Sequence, residues 1–398
     1  DDGLLDLLIT RFERPTKLLR NLGDSRFQDV TDAVGLDATG PALASSWADF
    51  DRDGDLDLFV GNYASVLSFE ARHEGTATGS RLFVNDGGLF TDRSDLLPPE
   101  VAAAWVTAAA WVDVDRDGWL DLYVVSDLGT WSGNVLALNH LGALAADGSR
   151  FGLDEIMPGS GMAIGDLDGD EIPDFVLGER GNLRVMISQA GHWSEESNAL
   201  GVALGPDQID PWGVDVGDLD NDGDLDILAS FGATHADDPD TAWDQSDAAF
   251  VRGSDGLFRD DAVALGLADT GVTRGVVLAD LDSDGALDVA KRDLEGPNLL
   301  YLSQCDPAAG WLRVQLTSPV DNHFAVGARV RVEVDGVVQT RTIAAGGIGF
   351  GSGGPPEAHF GLGDAATVDV LQVIWPDGRV TTVTDVATSA IVRLDRIE

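Results

Sequence analysis

A short aspartate-rich segment recurs along this chain, and the recurrence limits the possible folds more than any other feature. Five copies follow the pattern Asp-x-Asp-x-Asp-Gly-x-x-Asp, except that the third has glutamate in place of glycine. The copies lie about 51 to 64 residues apart, and residues 2–6 match the end of a sixth. We call the five copies loops 1 to 5; they occupy residues 49–57, 113–121, 166–174, 218–226 and 280–288.

Short apolar runs stand on both sides of every loop, such as residues 44–48 and 56–60 around loop 1. Runs of this length, bounded by Asp and Gly, are typical of strands rather than helices. Two more short runs follow in each repeat, as in Arg81–Val84 and Gly88–Phe90. Four strands per repeat predict an all-β fold, a β-propeller in which each repeat forms one blade.

The loops present the donor atoms that calcium prefers. Aspartates at positions 1, 3 and 5 place three carboxylates on one side of a tight turn, and the glycine at position 6 allows the sharp reversal. The carbonyl of position 7 adds a ligand, and the aspartate at position 9 closes the shell. Hard oxygen donors favour calcium over zinc or copper, while magnesium demands a stricter geometry. We therefore predict about five Ca2+ sites with a mainly structural role.

The predicted calcium ligands are Asp49, Asp51, Asp53, Asp55 and Asp57 in loop 1, Asp113, Asp115, Asp117, Trp119 and Asp121 in loop 2, Asp166, Asp168, Asp170, Ile172 and Asp174 in loop 3, Asp218, Asp220, Asp222, Asp224 and Asp226 in loop 4, and Asp280, Asp282, Asp284, Ala286 and Asp288 in loop 5.

An EF-hand is a poor match for these loops. It needs an acidic residue at position 12, where the five loops have Val60, Val124, Leu177, Ala229 and Lys291. Solvated acidic turns without metal are the alternative, and five copies in one ligand register argue against it. Loop 3 is the exception, because Glu171 replaces the turn glycine and Pro173 occupies position 8. We expect a distorted or weak site there.

The chain is strongly acidic, with 69 Asp and Glu against 25 Lys and Arg and a net charge of −44. The acidic residues are spread along the chain and alternate with apolar ones, which argues against a disordered tail. No nucleic-acid partner is expected, since phosphate binding needs concentrated Lys and Arg. The single cysteine, Cys305, excludes an intramolecular disulfide. No apolar run approaches the roughly 18 residues of a membrane span.

The strand–loop–strand repeat resembles the FG-GAP/VCBS repeats of integrin-α-like β-propellers, and Phe27–Thr31 and Asn85–Phe90 are typical of their bacterial branch. The end of the chain resembles an ASPIC/UnbV domain. The segments that carry this second resemblance are Trp311–Leu316, Gly327–Val332, His359–Gly363 and Val373–Gly378. Together the two parts resemble the cartilage acidic protein 1-like family over nearly the whole chain.

The resemblance implies a calcium-binding propeller in residues 1–305, with an incomplete first blade, and an ASPIC/UnbV-like β domain in residues 310–398. We favour seven blades, the usual number in the family, and six is the alternative, since about 305 residues fit six comfortably and seven tightly. The residues of the second domain also predict strands without the resemblance. Apolar and polar residues alternate in Arg329–Val334 and Val337–Thr342, and the Asp-Gly between them is typical of a hairpin turn. We expect a small β-sandwich-like domain there, and a secreted, periplasmic or cell-surface protein.

Ligand residues are expected in the loops that are longer than blade closure requires, at residues 62–80, 126–133 and 231–248. If the aspartate loops lie on one face of the propeller, these long loops lie on the opposite face. The candidate ligand-binding residues, which include two from connections between blades, are Tyr63, Glu70, His73, Trp105, Trp131, Trp212, His235 and Trp243. The alternative for each tryptophan is packing between blades, and for each histidine a solvated loop.

The sequence is compatible with three classes of function. The repeat and its loops suffice for a ligand-binding or adhesion module whose partner is a glycan, a small molecule or a protein. The alternative is an enzyme, such as a polysaccharide lyase, a hydrolase or a cyclase, with its site in the central channel on the face opposite the calcium loops. The sequence identifies no catalytic residue. A β-propeller fold supports many different functions, so the fold alone does not indicate a reaction. A purely structural role is the third possibility.

Overall fold

The computed structural model describes residues 3–12, 14–64, 78–127, 133–206, 208–233, 244–304, 306, 308–319, 322–346, 349–350 and 353–397. The chain divides into two compact units. Unit 1 comprises residues 1–159, 318–326 and 397–398, and unit 2 comprises residues 160–317 and 327–396.

Unit 1 contains three antiparallel sheets whose strands follow one another in chain order, the first with three strands and the others with four. The strands are β1 (Leu7–Ile9), β2 (Lys17–Asn21), β3 (Phe27–Asp29), β4 (Ala42–Ala48), β5 (Asp57–Asn62), β6 (Arg81–Asp86), β7 (Leu89–Asp92), β8 (Val106–Val112), β9 (Asp121–Ser126), β10 (Val135–His140) and β11 (Ala143–Ala146). A 3-10 helix at Ser94–Leu96 and α1 (Pro99–Ala103) precede β8, and α2 (Gly148–Phe151) follows β11.

The second sheet shows how the sequence pattern becomes structure. Buried and half-buried residues alternate along β4, as expected for a strand with one face in the core. Its partner β5 is buried throughout. The two strands meet at the pair Ala48 and Asp57, so loop 1 is the connection that closes this hairpin. Loop 2 closes the hairpin of β8 and β9 in the same way, at Val112 and Asp121.

The core of unit 1 lies largely between its second and third sheets. Phe50, Leu82, Trp111 and Leu122 belong to one cluster of buried side chains. The rings of Phe50 and Trp111 stack with their centroids 5.6 Å apart. Because Phe50 belongs to loop 1, the loop is attached to the core at its second position.

Unit 2 continues with three sheets of the same type, two with four strands and one with three. Their strands are β12 (Gly159–Gly165), β13 (Asp174–Glu179), β14 (Asn182–Gln189), β15 (His192–Glu195), β16 (Pro211–Gly217), β17 (Asp226–Phe231), β19 (Ala248–Arg252), β20 (Phe258–Asp260), β22 (Thr273–Ala279), β23 (Asp288–Asp293) and β24 (Leu299–Tyr301), while β18 (Gln245–Ser246) and β21 (Thr270–Gly271) form a small separate pair. The one-turn helices α3 (Ser197–Leu200) and α4 (Ala262–Leu265) follow β15 and β20.

Two further sheets end the chain, and we call them the C-terminal sheets. Their strands are β25 (Trp311–Thr317), β26 (Arg329–Val334), β27 (Val337–Thr342), β28 (Glu357–Gly361), β29 (Thr367–Ile374), β30 (Val380–Ala387) and β31 (Ala390–Asp395). The first sheet has the order β28-β25-β31, with β25 and β31 parallel, and the second has the order β27-β26-β29-β30. The Asp335-Gly336 hairpin predicted from the sequence joins β26 and β27.

The described residues are therefore all-β, with six antiparallel sheets of the repeat type, three in each compact unit. Six is the lower of the two blade counts that the sequence allowed, and these ranges contain no seventh sheet of the repeat type. The compact units do not follow the predicted division into residues 1–305 and 310–398, because unit 2 holds both repeat sheets and the C-terminal sheets. That division stays a prediction.

Candidate metal centres

Each aspartate loop brings carboxylates together between the first and second strands of a sheet. In every loop, three side chains offer oxygen atoms that all lie within 4.8 Å of one another. The clusters are Asp49, Asp51 and Asp53; Asp113, Asp115 and Asp121; Asp166, Asp168 and Asp174; Asp218, Asp220 and Asp226; and Asp280, Asp282 and Asp288. They consist of aspartates alone, which is the hard-oxygen donor set that suits calcium.

The loops hold these carboxylates in place with their own main chain. In loop 1 the N–H of Gly54 donates to Asp49 Oδ2 at 3.1 Å, that of Asp53 to Asp51 Oδ1 at 3.3 Å, and that of Asp55 to Asp53 Oδ1 at 3.0 Å. The equivalent three hydrogen bonds occur in each of the other loops. Such side-chain-to-main-chain bonds are typical of Asx turns.

The aspartate at position 9 ties each loop to its sheet. In loop 1, Asp57 Oδ2 accepts the N–H of Phe50 at 3.1 Å and Oδ1 accepts the N–H of Asn85, in the third strand, at 2.9 Å. The other loops repeat both bonds, and the second donor comes from β10, β14, β19 or the segment just after β24. The sequence predicted position 9 as a ligand only, and nothing in the loop pattern indicated this second role.

Burial raises the pKa of the position 9 carboxyls of loops 1 to 4 strongly. The pKa rises to about 8 in Asp57, Asp174 and Asp226 and to about 7 in Asp121, chiefly because desolvation disfavours the charged form. Main-chain N–H donors oppose the shift in all four. Without a metal, these groups therefore hold protons near neutral pH.

Position 1 shows the clearest fit to a cation. Asp49 Oδ1 and Asp113 Oδ1 are buried and accept no hydrogen bond. Burial, with repulsion from the neighbouring carboxylates, raises the pKa of both groups to about 6. A bound calcium ion would satisfy the unpaired oxygens and remove the repulsion.

Loop 3 keeps the same local structure despite its different sequence. The glycine at position 6 has a positive φ in the other four loops, from 88° to 107°. Glu171 takes this place in loop 3 with φ 66°, so a residue with a side chain occupies the left-handed region at some cost in strain. All three loop hydrogen bonds form around it. The expected distortion is thus absent from the main chain of loop 3, and a weak affinity stays a prediction.

Five of the predicted ligand-binding residues, Glu70, His73, Trp131, His235 and Trp243, lie outside the described residues. Two others, Tyr63 and Trp105, belong to a buried aromatic cluster with Phe12. The rings of Tyr63 and Trp105 lie 5.6 Å apart, and the Tyr63 hydroxyl donates to the carboxylate of Asp127. Each side chain is only 4% exposed, which favours packing over ligand contact.

Trp212, the remaining candidate, is half-buried at the start of β16. Its indole N–H donates to the carbonyl of Gly232 at 3.0 Å. The guanidinium of Arg274 stacks over the ring at 4.7 Å, and the Phe350 ring meets it at an edge with centroids 4.9 Å apart. Trp212 is therefore held in one orientation by a cation and a second aromatic ring.

Two polar residues near Trp212 were not predicted from the sequence. Arg274 is buried, donates to the carbonyls of Gly232 and Ala233, and has its pKa lowered to about 10 by desolvation. Asp210 is also buried; its Oδ1 pairs with Arg180 Nε at 3.3 Å, and its Oδ2 has no hydrogen-bond partner. An arginine inside the otherwise apolar run of β22 was the one signal that could have indicated this cluster.

The repeat sheets have antiparallel strands in chain order, and a carboxylate cluster lies between the first and second strands. This arrangement is typical of a β-propeller whose loops can bind metal ions. Residues 1–60 and 166–229 match the family model described as FG-GAP-like repeat, and residues 319–398 match the one described as ASPIC and UnbV. The chain is an FG-GAP-repeat β-propeller protein that ends in an ASPIC/UnbV domain. The described residues include no helix with both the length and the apolarity to cross a membrane.

No curated protein matches the chain. Among solved structures, the chain is similar to an Agrocybe aegerita lectin that recognises non-reducing terminal N-acetylglucosamine. The two sequences are 16% identical, the alignment covers 74% of this chain and 79% of the lectin chain, and the TM-score is 0.41. A Bombyx mori GH32 β-fructofuranosidase has 13% identity over 88% of each chain, with a TM-score of 0.37. The V. cholerae biofilm matrix protein Bap1 has 14% identity over 96% of this chain and 57% of its own, with a TM-score of 0.36.

Proposed function

We propose that the protein is an extracytoplasmic, calcium-binding β-propeller that acts as a ligand-binding or adhesion module. The observation that carries the proposal is the set of five preformed loops, in each of which three carboxylates converge within 4.8 Å on a turn already fixed by its main chain. Where two of these carboxylates are ionised, they repel each other at this spacing by about 4 kcal/mol at an effective dielectric of 20. A divalent cation at each cluster turns that repulsion into attraction.

The calcium ions have a structural role in this proposal. Position 9, which closes the predicted shell, also binds the third strand of its sheet, as Asp174 does through Ser188. Metal binding and sheet stability therefore share one side chain. At a free calcium concentration ten times the Kd, each ion contributes about 1.4 kcal/mol to the free energy of unfolding. Sites in extracellular proteins often bind calcium with Kd values of about 0.1 to 1 mM, which suits an extracytoplasmic location.

The ligand is proposed to bind away from the aspartate loops, beside the half-buried Trp212. The nearby Asp210 offers a buried carboxylate oxygen without a hydrogen-bond partner, and residues 234–243, with two of the predicted candidates, follow Ala233 in the chain. An aromatic ring next to an acidic acceptor suits the apolar face and the hydroxyl groups of a sugar. A glycan is therefore the first ligand class to test, with a small molecule or a protein next.

A glycan array on the calcium-loaded protein tests the ligand class. We expect binding that is lost in Trp212→Ala and kept in Phe27→Ala, which removes an exposed aromatic ring from β3. An array without signal would contradict the glycan version of the proposal. Release of shortened glycans during the incubation would instead support the enzyme alternative.

A further inference from the structure

Two arginines of the C-terminal sheets form ion pairs with the aspartate loops of unit 2. Arg313 in β25 pairs with Asp280, the first aspartate of loop 5, with 2.9 Å between Nη1 and Oδ2. Arg331 in β26 pairs with Glu171 of loop 3 at 3.3 Å. Each arginine thus reaches a loop for which calcium is the proposed ligand.

Loop 5 has the closest of these contacts. Arg313 Nη1 donates to both the carbonyl and the Oδ2 of Asp280 at 2.9 Å, and Nη2 donates to Ser283 Oγ at 3.2 Å. His359 Nε2 lies 3.0 Å from the carbonyl of Gly285. The Trp311 ring packs so tightly on Gly285 that a Cβ there would lie 2.1 Å from the ring atoms. Asp280 is left only 6% exposed.

Loop 4 is covered in a similar way by the segment that follows β28. The N–H of Gly363 donates to the carbonyl of Asn221 at 2.8 Å. A Cβ on Gly361 would lie 2.1 Å from Asp218 Oδ2, so only glycine allows this approach. Asp218, the first aspartate of loop 4, is 1% exposed.

The third arginine, Arg341 at the end of β27, acts on two loops at once. Burial lowers the pKa of its guanidinium, and the charges that oppose this shift belong to Asp218 and Asp166, the first aspartates of loops 4 and 3. Its guanidinium also stacks over the ring of Phe360 at 5.1 Å. The C-terminal sheets thus contribute one guanidinium that is bonded to the first aspartate of loop 5 and one whose charge interacts with the first aspartates of loops 3 and 4.

Many of these contacts are made to the main chain of the loops, at the carbonyls of Asn221, Asp280 and Gly285. Such contacts require the closed loop conformation, since an open loop moves its carbonyls away. Repulsion between the carboxylates favours opening when no metal is bound. Calcium and the C-terminal sheets therefore favour the same conformation of the loops.

We propose that loops 3 to 5 form a calcium-dependent docking surface for the protein's own C-terminal sheets. Calcium keeps the loops in the shape that the C-terminal sheets contact, and the docked sheets in turn slow the release of calcium from loops 4 and 5. Thermodynamic linkage makes this coupling reciprocal. Arg313 is a positioning residue in this arrangement. The inference rests on calcium being the metal of the loops.

Hydrogen–deuterium exchange of the full chain tests the coupling, with calcium titration calorimetry of the same samples. The informative variant is Asp282→Asn, which removes an exposed ligand of loop 5. Asp282 takes part in none of the bonds to the C-terminal sheets described above. We expect β25 and β28 to exchange about 5- to 150-fold faster in this variant at saturating calcium, the usual range for coupled sites. Asp51→Asn makes the same change in loop 1, which belongs to unit 1, and should leave both strands protected.

The outcomes separate the inference from the proposed function. If calorimetry detects calcium but β25 and β28 exchange equally in the two variants, the coupling is wrong and the calcium sites stand. If calorimetry detects no calcium, both are wrong. Arg313→Met provides a second route, since it should speed exchange in β25 with the calcium stoichiometry unchanged. Arg393→Met, which removes a guanidinium that contacts Gln315 in the same sheet, is its matched control.

Discussion

Asp57 and Asn85 are 28 residues apart in sequence, and the carboxylate of the first accepts the main-chain N–H of the second at 2.9 Å. Asp57 ends loop 1 and Asn85 lies in the third strand of the same sheet. A bond of this kind recurs in all five repeats. The aspartate that the motif needs for metal is thus also the residue that attaches the loop to the blade.

This double role predicts a large effect for Asp57→Asn. The amide has one acceptor oxygen where the carboxylate has two, so one of the N–H groups of Phe50 and Asn85 loses its partner in a buried site. An unsatisfied buried group costs about 1–3 kcal/mol. We expect a loss of this size in the free energy of unfolding by urea at saturating calcium, in addition to the loss of calcium binding at loop 1. Asp37→Asn, which makes the same substitution at an exposed position outside the loops, should change it little.

Asp51→Asn should behave differently, because Asp51 is half-buried and its Oδ1 accepts a hydrogen bond from within loop 1, from the N–H of Asp53. We expect the calcium stoichiometry to fall by one. With calcium at ten times its Kd, the free energy of unfolding should fall by about 1.4 kcal/mol. With chelator it should stay the same or rise slightly, because the substitution removes one repelling charge. A variant equally destabilised with and without calcium would contradict the assignment of Asp51 as a ligand.

The raised pKa values predict how the metal-free protein responds to pH. Asp57 and Asp174 have folded pKa values of about 8, well above the usual value of 3.8. The folded state therefore binds more protons than the unfolded state between about pH 4 and pH 8, so its stability must fall as the pH rises through this window. Thermal unfolding with chelator should show a falling melting temperature from pH 5 to pH 8. Saturating calcium should reduce this slope and release protons on binding; a rising melting temperature with chelator would contradict the account.

Two glycines at the same loop position form a matched pair. Gly54 and Gly285 both have left-handed backbones, with φ 107° and 96°, so alanine strains each by about 1–2 kcal/mol. A Cβ on Gly54 meets nothing within 4 Å, whereas one on Gly285 meets the Trp311 ring at 2.1 Å. We expect Gly285→Ala to lower the free energy of unfolding by about 1–3 kcal/mol more than Gly54→Ala. Equal losses would contradict the packing of Trp311 on loop 5.

Much of the local structure could be predicted from the sequence. Strands predicted at Arg81–Val84 and Gly88–Phe90 correspond to β6 (Arg81–Asp86) and β7 (Leu89–Asp92). The alternation of apolar residues and the turn residues between them determine these elements locally. The carboxylate clusters follow for the same reason, since the donors of each loop lie within nine residues of one another.

The features that were missed depend on long-range contacts or on very short elements. Helices α2, α3 and α4 have four residues each, too few to show a helical period. The bond between Asp57 and Asn85 and the pairing of Arg313 with Asp280 join residues that are distant in sequence. Glu171 was expected to distort loop 3, but its loop hydrogen bonds form because a non-glycine residue can adopt the left-handed conformation at a modest cost.

Calcium titration calorimetry of the metal-free protein tests the central claim most directly. The account predicts about five Ca2+ ions per chain, one for each carboxylate cluster, with proton release that is larger at pH 6 than at pH 8.5. Magnesium at the same concentration should bind more weakly, since it demands a stricter geometry and gives up its water reluctantly. A titration without calcium-dependent heat, in a protein whose melting temperature is unchanged by chelator, would contradict it.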